Sequence, residues 1–218
     1  MSVLFTVARL VQPGSLEPCE LPGGWHILGG VLSNEPTVPL GKVDCQPLTD
    51  KVVSLEDEAW RADAWRQRDY DVHAQTQSIV LLFCDGWPDV VVTRGCGWDL
   101  LSVEAQPVMD QVLRRHYPAG GKILRAMVTR LGPGCRIAMH KDSHPSFATG
   151  HRIHVPLVTN PDVEFIVGPE RVPPRAHYAF ELNNLMFHQV TNRGDSARIH
   201  FIFDYAPPRA SDPTHRTQ

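Results

Sequence analysis

The chain has 218 residues, 42% of them hydrophobic and 21% charged, enough for one sizeable core and unlike a disordered or fibrous composition. Its formal net charge is -3 and no basic run stands out, which argues against nucleic acid as a partner. The five cysteines (Cys19, Cys45, Cys84, Cys96, Cys135) are scattered without a C-x-x-C pair, so neither a disulfide framework nor a thiolate zinc site is expected, and a reduced, cytoplasmic protein is.

In chain order, Met1–Leu10 is apolar but has no basic flank, and reads as a first strand and not as a signal peptide. No apolar run is long enough to cross a bilayer, so no membrane partner is expected. Residues 11–50, rich in Pro and Gly around short apolar pieces such as Trp25–Leu28, predict turns and short strands. Ser54 followed by Asp57 opens a helix through Trp65, with acidic residues in its first turn. Ser78–Phe83 is a buried strand ended by Asp85-Gly86. Pro107 suits the start of a second helix, with Val108, Met109, Val112 and Leu113 as its core-facing stripe.

From there the pattern becomes short β-like runs at regular intervals: Ile123–Thr129, Arg152–Val158, Val163–Val167, His177–Glu181 and Arg198–Tyr205. Turn signals separate them: Gly132-Pro-Gly134, Asn160-Pro-Asp162, Asn183-Asn184 and Asn192-Arg-Gly194. The fold class is therefore mainly β, an antiparallel jelly roll with a few flanking helices, in one domain over 1–218. Residues 207–218 are polar and Pro-rich and read as a flexible tail.

His140-Lys-Asp142 is the first chemical signal. In an extended segment, residues two apart point to the same side, so an imidazole and a carboxylate can share one metal. His188, after the turn at Asn183-Asn184, is the best third ligand. Two imidazoles and a carboxylate on one face leave positions open, the facial triad of non-haem iron(II) oxygenases, although zinc accepts similar donors. Ten residues later comes Arg198, in a strand where Ile199, Phe201 and Phe203 alternate with Arg198, His200 and Ile202. An arginine facing into a barrel needs an anion, and the distal carboxylate of 2-oxoglutarate fits its planar fork. A salt bridge to Asp204 or Asp195 is the plainer role for Arg198.

At these residues the chain resembles the aspartyl/asparaginyl β-hydroxylase family of 2-oxoglutarate oxygenases, which includes bacterial proline cis-hydroxylases. The likeness runs through Leu131–Gly134, His140-Lys-Asp142, Arg152–Leu157, Asn183–Asn192 and Arg198–Asp204, within residues 123–206, with a weaker match at Gln75–Leu81. It implies a double-stranded β-helix, cupin-like core. It implies His140, Asp142 and His188 as iron ligands and Arg198 as the clamp on the far carboxylate of 2-oxoglutarate. It further implies that Arg152 and His154, an R-x-H pair, contact the co-substrate near the metal, and that the hydroxyl of Thr129 helps to bind it. The bland readings are outer support for a ligand in Arg152 and His154, and an ordinary strand residue in Thr129. His144 and His151 are not counted as ligands, and Trp60, Trp65, Trp87 and Trp98 are read as packing residues before channel residues.

The animal members resemble H-x-G at the first ligand pair; Asp142 restores the full triad, as in the bacterial amino-acid hydroxylases, and argues against a halogenase. The expected activity is hydroxylation of an unactivated C–H of an amino acid, or of an Asp/Asn-like residue in a peptide or natural-product precursor, with release of succinate and CO2. Fe(II), 2-oxoglutarate and dioxygen are the expected cofactors, with ascorbate as support. The alternatives are a non-catalytic metal-binding cupin-like barrel, and a 2-oxoglutarate oxygenase that desaturates or closes rings.

Overall fold

The computed structural model describes residues 35–62, 65–69 and 71–208, with two short paired strands before them, β1 (Cys19–Glu20) and β2 (His26–Ile27). The strand expected at Met1–Leu10 and the tail from residue 209 lie outside the described residues. The first half then runs β3 (Thr37–Lys42), α1 (Gln46–Val53), α2 (Asp57–Arg61), α3 (Trp65–Asp69), β4 (Thr76–Asp85), β5 (Val91–Arg94) and α4 (Trp98–His116). The second half is β6 (Lys122–Leu131), β7 (Arg136–His140), β8 (His151–Val158), β9 (Val163–Val167), β10 (Glu170–Arg171), β11 (Tyr178–Leu182), β12 (His188–Asn192) and β13 (Arg198–Ala206).

These strands build two sheets, β3-β11-β8-β13-β6-β4-β5 and β10-β9-β12-β7, in which every described pairing is antiparallel. Apart from the β9–β10 hairpin, successive strands of the second half alternate between the sheets, which makes the fold a double-stranded β-helix. One core lies between the sheets, where Leu131, Phe180 and Leu182 of the large sheet meet Val163, Phe165, Val167 and Val190 of the small one. The other lies on the outer face of the large sheet. There Ile199, Phe201 and Phe203 of β13 pack with Leu48 and Val52 of α1, Trp60 of α2, and Leu101, Val108, Met109 and Val112 of α4. Burying such a side chain contributes about 1.5–3 kcal/mol. The period-two alternation of β13 thus sends one set outward to the helices. It sends Arg198, His200, Ile202 and Asp204 inward between the sheets.

Asn192 pins one end of the roll. It is fully buried, and its Nδ2 donates to the carbonyls of Leu131, Gly132 and Ser196 while its Oδ1 accepts from Asn160 and from the Gly194 amide. Three of the turns marked by Asn and Gly in the sequence are therefore stitched by one side chain.

Three expectations are corrected. Residues 46–50, read within 11–50 as turn and short strand, belong to α1: Pro47 sits in its first turn, where a missing N–H costs nothing, and Leu48, Thr49 and Val52 give it a buried face. Ser54 does not open the next helix but ends α1, its amide and hydroxyl satisfying the carbonyls of Asp50 and Lys51. The helix expected through Trp65 is split into α2 and α3. Pro107 lies inside α4 and not at its start, because the apolar stripe begins earlier, at Leu101 and Ala105. The hydrogen bond that Pro107 removes would go to the Val103 carbonyl, and Val103 is 77% exposed, so the loss falls on the outer side of the helix. No described helix is long and apolar enough to cross a membrane. Cys45, Cys84, Cys96 and Cys135 are free thiols.

Candidate metal centre

β7 and β12 are neighbours in the small sheet, and their register sets His140 opposite His188 with ring centroids 4.3 Å apart. Asp142 follows two residues after His140, its amide donating to the Asn184 carbonyl of the loop before β12. One ligand atom from each of His140, Asp142 and His188 lies within 4.8 Å of the others, and this is the group of that kind found among the described residues. The imidazoles are oriented alike. Nδ1 of His140 stands 2.8 Å from the Ala138 carbonyl, and Nδ1 of His188 stands 2.9 Å from the Met186 carbonyl. A carbonyl only accepts, so Nδ1 of each ring donates and Nε2 keeps its lone pair for a metal. Burial lowers the His188 pKa to about 4 against the opposing pull of the Met186 carbonyl, so it is neutral and ligand-ready at neutral pH.

Arg152 joins this centre to the large sheet. Its Nη1 donates to Asp142 Oδ2 at 2.6 Å, while Nε and Nη2 grip the two oxygens of Asp204 at 2.8 and 2.9 Å. All three of its donor positions are thus engaged with carboxylates, which is the outer-support geometry. Burial works against its charge, and the neighbouring Asp142 and Asp204 outweigh burial, raising its pKa. Asp204, weighed as a partner of Arg198, pairs with Arg152 and Arg125 instead.

Deeper between the sheets lies a cavity lined by Thr129, His154, Phe165, Arg198 and Ile202, continuous with His140 and His188. Arg198 is 2% exposed and, among the described residues, has no carboxylate in ion-pair reach and no partner for Nε; Nη2 donates to His200 Nδ1 at 2.7 Å. Burial alone lowers its pKa to about 9, the mark of a guanidinium that lacks a counter-charge. The buried hydroxyl of Thr129 also has no partner, and Thr129 stands opposite His200 on the strand beside Arg198. His154 stacks on Phe180 with centroids 5.2 Å apart, and its Nδ1 lies 3.3 Å from His200 Nδ1. Burial, and then the Arg198 charge, hold His154 and His200 well below the usual histidine range, so both are neutral.

The donors fit the groups implied by the sequence. Two imidazoles tied at Nδ1 to backbone carbonyls, and a carboxylate beside them, suit iron(II). A buried, unpaired guanidinium beside an unpartnered hydroxyl suits a carboxylate. His144 and His151 stand apart from the metal ligands, engaged with Ser146 and Glu181. Trp60 is a buried core residue and Trp98 packs against the same core.

Three contributors were missed in the sequence, and a fourth, Asp204, was weighed there with another partner. Arg66 of α3 and His73 of the 3-10 turn Asp71–His73 line the cavity, and the His73 ring meets that of His140 edge-on at 5.9 Å. Nothing in their local sequence marks them. Arg125 and Asp204 were legible in part, because period-two spacing puts Arg125 on the face of Thr129 and Asp204 on that of Arg198.

Among solved structures, the chain is similar to the viral collagen prolyl hydroxylase of Paramecium Bursaria Chlorella virus-1, in complex with 2OG. The identity is 12% and the TM-score 0.50, covering 81% of this chain and 98% of that one. It is also similar to the non-heme monooxygenase ThoJ in its nickel complex, at 16% identity and TM-score 0.50, covering 80% of this chain and 75% of that one. At these identities the likeness shows the fold. No curated protein matches. Residues 50–208, well over half of the chain, match the family described as aspartyl/asparaginyl beta-hydroxylase, and the protein belongs to that family of oxygenases.

Proposed function

We propose that the protein is an Fe(II)- and 2-oxoglutarate-dependent hydroxylase acting on an amino acid, or on an Asp/Asn-like residue of a peptide or natural-product precursor. The observation that carries this reading is the pairing of a His140-Asp142-His188 group with a buried arginine, Arg198, that lacks a counter-ion at the far side of one cavity. A metal site alone would need no such arginine. A co-substrate bearing a carboxylate at its far end answers both needs at once.

In this reading His140, Asp142 and His188 would hold iron(II). Iron bound there would supply the oxidation, in which one oxygen atom of O2 goes to a substrate C–H bond and the other to the succinate left when 2-oxoglutarate loses CO2. Arg198 and Thr129 bind the distal carboxylate and so orient the co-substrate. The apolar walls, Phe165, Ile202 and Val190, keep water from the cavity and strengthen the Arg198 interaction. Arg152 holds Asp142.

The test is incubation of the purified protein with Fe(II), ascorbate and 2-oxoglutarate, with and without a panel of free amino acids and Asp- or Asn-containing peptides. Succinate release coupled to a mass gain of one oxygen atom in a panel member supports the reading. No succinate under any condition would count decisively against it.

A further inference from the structure

Asp204 faces inward from β13, and the strand register puts Arg125 of β6 on one side of it and Arg152 of β8 on the other. Its carboxylate is 2% exposed and fully engaged. Oδ1 accepts from Arg152 Nε at 2.8 Å, and Oδ2 accepts from Arg152 Nη2 at 2.9 Å and from Arg125 Nη1 at 3.2 Å. Arg125 is held in turn by Ser146 Oγ at 2.9 Å. The ring of Phe147, from the 3-10 turn Pro145–Ala148, lies against both guanidiniums, 4.7 Å from that of Arg125 and 4.4 Å from that of Arg152.

A planar guanidinium gripped at two donors has its third donor fixed in direction. For Arg152 that third donor is Nη1, aimed at Asp142 Oδ2. Asp142 sits in the loop after β7, where the hydrogen bond of its amide to Asn184 fixes the backbone but not the carboxylate rotation. With Oδ2 held by Arg152, Oδ1 is the oxygen left toward the histidines, 4.0 Å from His140 Nε2. The chain of contacts therefore runs from the centre of the large sheet to the one member of the group that lies off the strands, in the loop after β7.

We infer that Asp204 is a positioning residue for the metal centre, which acts through Arg152 to turn Oδ1 of Asp142 toward His140 and His188. The inference rests on the reading of those three residues as metal ligands. Stability alone gives little reason to bury Arg125 and Asp204 together, since buried ion pairs are often no more stabilising than apolar residues of the same volume.

The test is titration of the full chain with Co(II), read by its visible d–d absorption, alongside thermal unfolding. The variants are Asp204→Asn, Arg152→Lys, the ligand control His188→Ala and the fold control Leu48→Ala, a buried site in α1. Asp204→Asn and Arg152→Lys are expected to weaken Co(II) binding by about 10- to 100-fold, the scale of an outer partner of a metal ligand, and to alter the absorption bands. Leu48→Ala is expected to lower the melting temperature and leave Co(II) affinity unchanged. A folded Asp204→Asn protein with wild-type affinity and spectrum overturns the inference; if that variant does not fold, Arg152→Lys decides by the same criterion. Wild-type protein that binds no Co(II), or His188→Ala that binds it as well as wild type, brings down the metal reading itself and this inference with it.

Discussion

His140 and His188 face each other across neighbouring strands, 4.3 Å between ring centroids, each with Nδ1 tied to the carbonyl two residues before it. The same backbone device therefore presents both Nε2 lone pairs to one point, at the strand ends where the small sheet opens. Only Asp142, the third member of the group, depends on a side chain for its orientation.

Removal of a ligand should accordingly cost more than removal of its support. Asp142→Ala and His188→Ala are expected to weaken divalent-metal binding beyond the roughly 10- to 100-fold loss of an outer partner. Both should also abolish most 2-oxoglutarate turnover. Calorimetric titration with Fe(II) under anaerobic conditions, or with Mn(II), measures this directly.

Arg198→Ala separates the co-substrate from the metal. Loss of a charge-assisted carboxylate contact of about 1.5–3 kcal/mol should raise the KM for 2-oxoglutarate by about 10- to 100-fold. Metal affinity should stay near wild type. An unchanged dependence on 2-oxoglutarate would remove Arg198 from the clamp. Because wild-type Arg198 is buried without a counter-ion, 2-oxoglutarate should also raise the melting temperature of the metal-loaded wild type, and not that of the variant.

Acid should destabilise the metal-free protein well above the carboxylate range. His73 is lowered to about 3 by burial, and then by Arg66 and His140, and His154 and His200 are also held well below the ordinary value near 6.5 by burial and Arg198. Groups lowered on folding contribute stability that is fully present above the unfolded pKa. As pH falls below about 6.5 the unfolded chain binds protons that the folded chain refuses, at about 1.4 kcal/mol per pH unit for each such group. Thermal unfolding between pH 7.5 and 5 should show this slope, and His154→Gln should reduce it by one proton's share. A melting temperature flat across pH 6.5 to 5 would contradict it.

Pro107→Ala should stabilise the protein. Pro107 is exposed in the interior of α4, where proline costs about 3 kcal/mol relative to alanine, partly offset by about 1 kcal/mol through the stiffer unfolded chain. A gain of about 2 kcal/mol is expected in urea unfolding, at unchanged slope.

The second half of the chain was the more legible part. Strand β9 and the bulk of β6, β8, β11 and β13 follow directly from alternation and turn residues, because each strand of a jelly roll meets a core on a known period. The first half was less so. Helix α1 hides in a Pro-containing stretch of eight residues, and its amphipathic face has meaning only against the sheet that covers it.

The sequence by itself determined which candidate residues spacing could bring together: His140 with Asp142, the return of His188, and Arg198 on the inward face of its strand. Those follow from strand geometry, which is local. The tertiary structure decided the partners. It left Arg198 without a carboxylate, gave Asp204 to Arg125 and Arg152, and brought His73 from a distant turn to the edge of His140. It also assigned Arg152, on the large sheet, to Asp142, in the loop after a strand of the small one. Those pairings depend on the cross-strand register and on how the two sheets stack, and neither is written in the spacing of residues along any one strand.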